Sequence, residues 1–155
     1  MPGIRSHGVV VGVDDSRGSG AALAFAMSEA ALRGSAVDII TAWSVSERDD
    51  DGDSSEVARR GAQQIQDAAV ALALSEVDAR PVLYRQVVEG DAGHVLARSV
   101  KDAAYLVVGA STSGLSTRVP PGGVSEYCLR HAPCAVMVVP PTQAEESSTR
   151  AKDPR

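Results

Sequence analysis

Two polar segments of the chain carry residue types that could hold a phosphorylated ligand. The first, residues 14–16, directly follows the apolar run 9–13, and the second, residues 109–125, is rich in Gly, Ser, Thr and Pro and follows the apolar run 105–108. Glycine lets backbone N–H groups approach a phosphate closely, and a helix N-terminus behind the loop adds a favourable dipole. A carboxylate such as Asp14 accepts hydrogen bonds from ribose hydroxyls. The two segments therefore contain the parts of a nucleotide site.

These segments meet only if a parallel sheet brings the ends of their strands together. Strands are predicted at residues 9–13, 37–43, 82–88, 105–108 and 135–139. Continuous apolar runs are typical of strands that are buried on both faces, and their alternation with helical patterns predicts a parallel sheet covered by helices. We expect an α/β domain with a doubly wound, open parallel sheet of five strands, whose ligands bind beyond the carboxyl ends of the strands.

Helical periodicity fills the segments between the strands. The first helix is expected to begin at a Ser16 cap and to stop at Gly34, and the third is expected to begin at an Asp91 cap and to run to about Ala103. A short helix is expected at residues 123–131. The long second helix is predicted at residues 55–79. Its predicted inner face consists of five residues: Val57, Ile65, Ala68, Ala69 and Leu72.

Composition limits the class of protein. The 155 residues suit one domain, which we assign to residues 1–141, followed by a polar tail, residues 142–155, that is expected to be disordered. The formal net charge of −5 argues against nucleic acid and anionic membranes as main partners. No apolar stretch approaches the length of a membrane span. With two cysteines, the chain fits a reducing compartment, so a cytoplasmic protein is expected.

Four segments resemble the universal stress protein family. They are VVVGVDDS at residues 9–16, EGD at 89–91, YLVVG at 105–109 and GGVSEYCLRHAPCAVMVVP at 122–140. The resemblance extends from about residue 7 to 140. It implies a Rossmann-like sheet with helices on both faces and the strand order 3-2-1-4-5, in which the order reverses between strands 1 and 4. It also implies a stress-response module and a homodimer.

The family's ATP-binding members carry a signature of Gly, two residues, Gly, nine residues, Gly and then Ser or Thr. In this chain Gly109 and Gly122 match the signature, whereas Thr112 and Gly123 depart from it. The resemblance places Asp14 at the ribose, Ala42 beside adenine and the Ser125 hydroxyl at the phosphates. The expected nucleotide-binding residues are Val13, Asp14, Ala42, Val108, Gly109, Thr112, Gly122, Gly123, Val124 and Ser125.

Two functions stay open at this point. The chain could bind ATP or another adenine nucleotide, with Mg²⁺ arriving only with the nucleotide. Alternatively, it could be a nucleotide-free fold that acts as a dimeric protein-interaction module. Enzymatic activity is not expected, because no His, Lys or paired carboxylate is placed beside an evident nucleophile.

The predicted homodimer is expected to form through strand 5. This strand lies at a sheet edge in the implied order and is apolar on both faces, with the sequence Ala135, Val136, Met137, Val138 and Val139. Unpaired edge groups invite another strand, and here Pro140 and Pro141 protect only its end. Pairing of two copies across a twofold axis would close the edge.

Other candidate sites fail on ligand count or spacing. Cys128, His131 and Cys134 lack an obvious fourth ligand for zinc. When the acidic run 49–53 is aligned with a calcium-binding loop, Ala58 falls at the position that requires a bidentate carboxylate. A phosphorelay receiver would need an Asp after strand 3 and a Lys after strand 5, where this chain has Glu89 and prolines. No resident metal is expected.

Overall fold

The computed structural model describes residues 8–45, 52–110 and 123–141. The five strands are β1 (Val9–Gly12), β2 (Val37–Trp43), β3 (Leu83–Glu89), β4 (Tyr105–Gly109) and β5 (Ala135–Val139). The four helices within these ranges are α1 (Arg17–Arg33), α2 (Gly52–Glu76), α3 (Ala92–Ser99) and α4 (Val124–His131). The predicted disordered tail, residues 142–155, and most of the acidic run 49–53 lie outside the described residues.

The strands form one parallel sheet in the order β3-β2-β1-β4-β5, which confirms the predicted fold and strand order. β1 lies at its centre, where Val9 pairs with Val37 of β2 on one side and with Tyr105 of β4 on the other. The order therefore reverses at β1 and β4. The carboxyl ends of these two strands diverge into different loops, which leaves a crevice of the kind that binds ligands in such sheets.

Alternate side chains of β1 enter two separate cores. Val9 and Val11 pack with Leu23 and Met27 of α1 on one face of the sheet. Val10 packs on the opposite face with residues of α3 and α4 that include Val95, Leu96 and Cys128. Because successive strand residues point to opposite faces, an unbroken run of valines suits a strand that is covered on both sides.

The predicted inner face of α2 is wrong in part. Val57 and Leu72 are 65% and 52% exposed, and Ala68 is exposed as well. The buried face is instead formed by Ala62, Gln66, Val70 and Ala73. The predicted face consisted of apolar residues alone and left out the polar Gln66, which the structure buries completely.

Gln66 is fully buried because its amide is hydrogen-bonded on both sides. Its Nε2 donates to Thr41 Oγ1 at 3.1 Å and to the Gln86 carbonyl at 2.9 Å. Its Oε1 accepts from Arg85 Nε at 3.1 Å. A buried polar group with its partners in place avoids the cost of desolvation, so Gln66 fixes α2 to β2 and β3.

The helix ends follow the capping signals with one exception. Gly34 ends α1 with φ 64°, in the left-handed region that favours glycine, and the Asp91 side chain accepts from His94 N at the start of α3. Ser16 occupies the N-cap position of α1 as predicted, although its hydroxyl makes no capping hydrogen bond. α3 ends at Ser99, earlier than the predicted Ala103.

Candidate functional site

A cleft open to solvent lies where the order of the sheet reverses. Its empty space, counted together with the open solvent at its mouth, is about 470 Å³. Its lining residues come from β1, β2 and β4, from the turn after β1 and from α1, α3 and α4. They are Gly12, Val13, Asp14, Ser16, Ser19, Ile40, Ala42, Ala92, Leu96, Val108, Gly109 and Val124.

The turn between β1 and α1 holds the carboxylate of Asp14 at the mouth of this cleft. The Ser16 N–H donates to Asp14 Oδ1 at 2.8 Å, and the Asp14 N–H donates to the buried Ser19 Oγ at 2.9 Å. The first bond closes a turn through the aspartate side chain, and the second ties the turn to α1. Asp14 itself is exposed, and a carboxylate can accept further hydrogen bonds from hydroxyl groups.

Backbone approaches backbone at the end of β4. A Cβ added to Gly109 would come within 2.7 Å of Ser19 N and would collide with the backbone of Gly18. A Cβ added to Gly18 would lie 2.9 Å from the Ala110 carbonyl oxygen. Both positions therefore require glycine, because a side chain at either would push the start of α1 away from the end of β4.

The inner wall of the cleft is apolar and built from small side chains. Ala42, Val108 and Val124 line it together with Ala92 and Leu96 of α3. The Leu96 side chain fills the space beside Gly12, since a Cβ on that glycine would lie 2.7 Å from Leu96 Cδ1. A surface of this kind suits a flat aromatic ring, and the polar mouth at Asp14 suits a hydroxylated group attached to it.

The first turn of α4 presents its N-terminus without a side-chain cap. Gly123 is the N-cap residue, and it has no side chain that could accept from the first N–H groups of the helix. Ser125 is buried in the same turn but does not line the cleft. Uncapped N–H groups and the helix dipole favour an anion at this position.

The structure brings together six of the ten residues predicted for a nucleotide site: Val13, Asp14, Ala42, Val108, Gly109 and Val124. Gly123 at the N-cap of α4 and Ser125 in its first turn do not line the cleft, and Thr112 and Gly122 lie outside the described residues. Six lining residues were missed: Gly12, Ser16, Ser19, Ile40, Ala92 and Leu96. Side chains alternate between the faces of a strand, so Ile40 shares a face with Ala42 and could have been predicted from it. Ala92 could have been predicted from its position directly after the Asp91 cap.

In the described ranges, no group of three His, Cys, Asp or Glu side chains could hold a metal ion. Burial in the core beneath α4 raises the pKa of the Cys128 thiol to about 11, so this cysteine is a packing residue at neutral pH. His131 lies in the last turn of α4, where a cation is favourable. Among the described helices, none combines the length and the hydrophobicity that a membrane span requires.

Comparison with known proteins identifies relatives of this fold. Residues 6–140 match the profile of the Universal stress protein family. A search of curated proteins returns no match. A universal stress protein solved in complex with cAMP is 25% identical, with a TM-score of 0.59 over 88% of this chain and 98% of that one.

Two further solved structures carry adenine nucleotides. The universal stress protein from Archaeoglobus fulgidus in complex with dAMP is 20% identical, with a TM-score of 0.64 over 88% of this chain and 99% of that one. A universal stress protein family protein from Arabidopsis thaliana with AMP bound is also 20% identical, with a TM-score of 0.60 over 95% and 99% of the two chains. At such identities the likeness shows that the fold is shared.

Proposed function

The chain belongs to the universal stress protein family, and from this premise we propose that it is a stress-response module that binds an adenine nucleotide in the cleft between β1 and β4. The observation that carries the proposal is the cleft itself. It combines an apolar wall of small side chains, an exposed carboxylate and glycine backbone at the carboxyl ends of two diverging strands. Solved relatives that hold cAMP, dAMP and AMP support the choice of adenine.

Each part of a nucleotide has a suitable surface in this arrangement. The base would pack against Ala42 and Val124, where few polar groups compete for contact. The ribose hydroxyls would donate to Asp14, whose carboxylate is already oriented by the Ser16 N–H. The phosphate would lie toward Gly109 and the uncapped N-terminus of α4, where the helix dipole favours negative charge.

ATP, with Mg²⁺ carried on its phosphates, is the ligand that the retained half of the family signature favours. Gly109 and Gly122 keep the glycines that let backbone approach phosphate, whereas Thr112 and Gly123 depart from the signature. The departures fall on the segment that would hold the outer phosphates. We therefore expect the base and ribose contacts to dominate affinity, so that AMP and ATP bind with similar strength.

The proposed role is binding without fast chemistry. Among the described residues that line the cleft, none is a His, Lys or Cys, and Asp14 is the one carboxylate. General acid–base catalysis needs a positioned group of matched pKa within reach of the reacting atom. The proposal places this module in the cytoplasm, a compartment that suits the free thiols of Cys128 and Cys134.

Assembly into a homodimer through β5 is the second part of the proposal. β5 pairs with β4 on one side, and Met137 and Val138 on this strand are 40% and 38% exposed. Antiparallel pairing of two β5 strands would cover these side chains and satisfy the free edge. The same exposed strand favours the second candidate function, a nucleotide-free module that acts through protein contacts.

Isothermal titration calorimetry with AMP, ADP and ATP tests the nucleotide proposal. We expect binding to the wild-type chain, and about tenfold weaker binding to Asp14→Ala, because a hydrogen bond to a charged group contributes about 1.5 kcal/mol. Asp15→Ala is the matched control, since Asp15 is an exposed neighbour that does not line the cleft. Absence of wild-type binding at millimolar nucleotide would refute the proposal and favour the interaction module.

A further inference from the structure

Three aromatic rings join α3 to α4 beside the cleft. The rings of His94 and Tyr127 lie with their centroids 4.5 Å apart, and those of Tyr127 and His131 lie 4.3 Å apart. His94 is anchored in turn by Asp91, whose Oδ2 lies 2.8 Å from His94 Nδ1. Because Asp91 also caps α3, the stack is tied to the first turn of that helix.

Gly93 allows this stack to form. A Cβ added at Gly93 would lie 2.8 Å from Tyr127 Cδ1, 2.9 Å from Cγ and 3.1 Å from Tyr127 Cβ. Contacts of this length require something to move, and Tyr127 Cβ is attached directly to the backbone of α4. The glycine is therefore required by close packing: α3 and α4 approach each other here as nearly as a tyrosine ring against a bare backbone permits.

The same contact lies next to two residues that line the cleft. Ala92 precedes Gly93 in the first turn of α3, and Val124 lies three residues before Tyr127 in the first turn of α4. Residues three apart on a helix lie on one face, so Val124 and Tyr127 share the side of α4 that faces α3. The distance between the two helices at Gly93 therefore sets the distance between Ala92 and Val124.

We propose that the contact between Gly93 and Tyr127 determines base specificity, by setting how closely Ala92 and Val124, which we call the apolar slot, can hold a flat ring between them. The proposal rests on the nucleotide binding proposed above. A slot that touches both faces of a ring stabilises the larger purine more than a pyrimidine, because dispersion and apolar burial grow with contact area. Widening the slot removes contact from both faces, so a purine loses more affinity than a pyrimidine.

The test compares the dissociation constants of AMP and CMP for the wild-type chain, Gly93→Ala and Tyr127→Ala. Gly93→Ala forces the helices apart. Tyr127→Ala introduces no clash but removes the ring that fixes their spacing, so the slot no longer presses closely on a base, and this variant serves if the first fails to fold. We expect AMP to bind at least tenfold more weakly to Gly93→Ala, and the preference for AMP over CMP to fall at least threefold in both variants. Gly61→Ala is the matched control, since its added Cβ meets nothing within 4 Å.

The outcomes separate this inference from the function on which it rests. If the wild-type chain binds no nucleotide, the proposed function is refuted and the specificity role with it. If the wild-type chain binds AMP but both variants keep the wild-type preference for AMP over CMP, the inference alone is overturned. An equal loss of affinity for AMP and CMP would also overturn it, because that result indicates a structural role.

Discussion

β1 and β5 have nearly the same composition and opposite surroundings. β1 reads VVVG and β5 reads AVMVV. Val9, Val10 and Val11 have no exposed surface, whereas Met137 and Val138 are 40% and 38% exposed. The difference comes from position in the sheet, because among the described strands β1 has a neighbour on each side and β5 has β4 alone.

An apolar strand can therefore form the core at the centre of a sheet or present a pairing surface at its edge. In β1 the valines form the two cores and hold the turn that carries Asp14. In β5 the same side chains meet water at an edge, where another strand can pair with them. We therefore expect a charged side chain to unfold the protein when it is placed at the centre of the sheet, whereas the fold should tolerate one at the edge.

The largest expected effect is that of Val10→Asp at the centre. Val10 packs among Val95, Leu106 and Cys128, and none of these side chains can pair with a carboxylate. An unpartnered buried charge costs more than about 4 kcal/mol, a large fraction of the stability of a single domain. We expect the variant to be unfolded at 25 °C by circular dichroism. A cooperative unfolding transition within about 1 kcal/mol of wild type would contradict the burial of β1.

An alkaline titration examines the covered face behind β5. Burial raises the pKa of Cys128 from 9.0 to about 11. A raised pKa contributes stability that is present below pH 9 and is lost as the pH rises toward 11, because only the unfolded chain ionises readily in that window. The loss is no more than ~3 kcal/mol.

The measurement is the free energy of unfolding in urea from pH 8 to 11, for the wild-type chain and Cys128→Ala. Burial also raises the pKa of Cys134. Burial and a hydrogen bond to Glu29 together raise the pKa of Tyr105. The wild-type chain and Cys128→Ala should therefore both lose stability in alkali. The wild-type chain should lose more. Parallel pH profiles would show that Cys128 is not held neutral by the core.

Val138→Asp at the edge of the sheet is expected to change the free energy of unfolding least and to weaken dimerisation strongly. The carboxylate reaches water in the monomer, so the free energy of unfolding of the monomer should change by less than about 1 kcal/mol. In a dimer paired through β5 the charge would be buried against its symmetry mate. Sedimentation at micromolar concentration should show a wild-type dimer that is weakened at least tenfold in the variant.

Leu72→Asp is the control for that experiment. Leu72 is 52% exposed on α2 and lies on the helix that packs against β2 and β3, at the other end of the sheet. The change introduces the same charge without touching β5, and the dimer should persist. A monomeric wild-type chain, or a dimer that tolerates Val138→Asp, would refute pairing through β5.

The sequence predicted the fold well because the strong signals are local and consistent. Short apolar runs mark strands with both faces covered, and Gly34 and Asp91 mark helix ends by their backbone and capping chemistry. The sequence alone could not identify the buried face of α2, because the burial of Gln66 depends on partners in β2 and β3 that lie 25 and 20 residues away. Polar residues with distant partners violate the apolar periodicity on which such predictions rest.

The sequence predicted the site residues that lie in polar or glycine-containing loops, and it missed the apolar residues of α3 that form the wall of the cleft. Asp14 and Gly109 stand out as a carboxylate and a glycine directly after apolar runs. Ala92 and Leu96 line the same cleft through side chains that look like any core residue of α3. Their role follows from where the fold places α3, which depends on the contact between Gly93 and Tyr127.

The most direct test of the central claim is to titrate the ¹⁵N-labelled chain with AMP and follow the backbone amide resonances. If the cleft between β1 and β4 binds the nucleotide, the largest shift changes will fall on Asp14, Ala42, Gly109 and Val124, and the amides of β3 and the C-terminal half of α2 will stay unchanged. Saturable binding with shift changes confined to residues outside the cleft, or no shift change at millimolar AMP, would contradict nucleotide binding in this cleft.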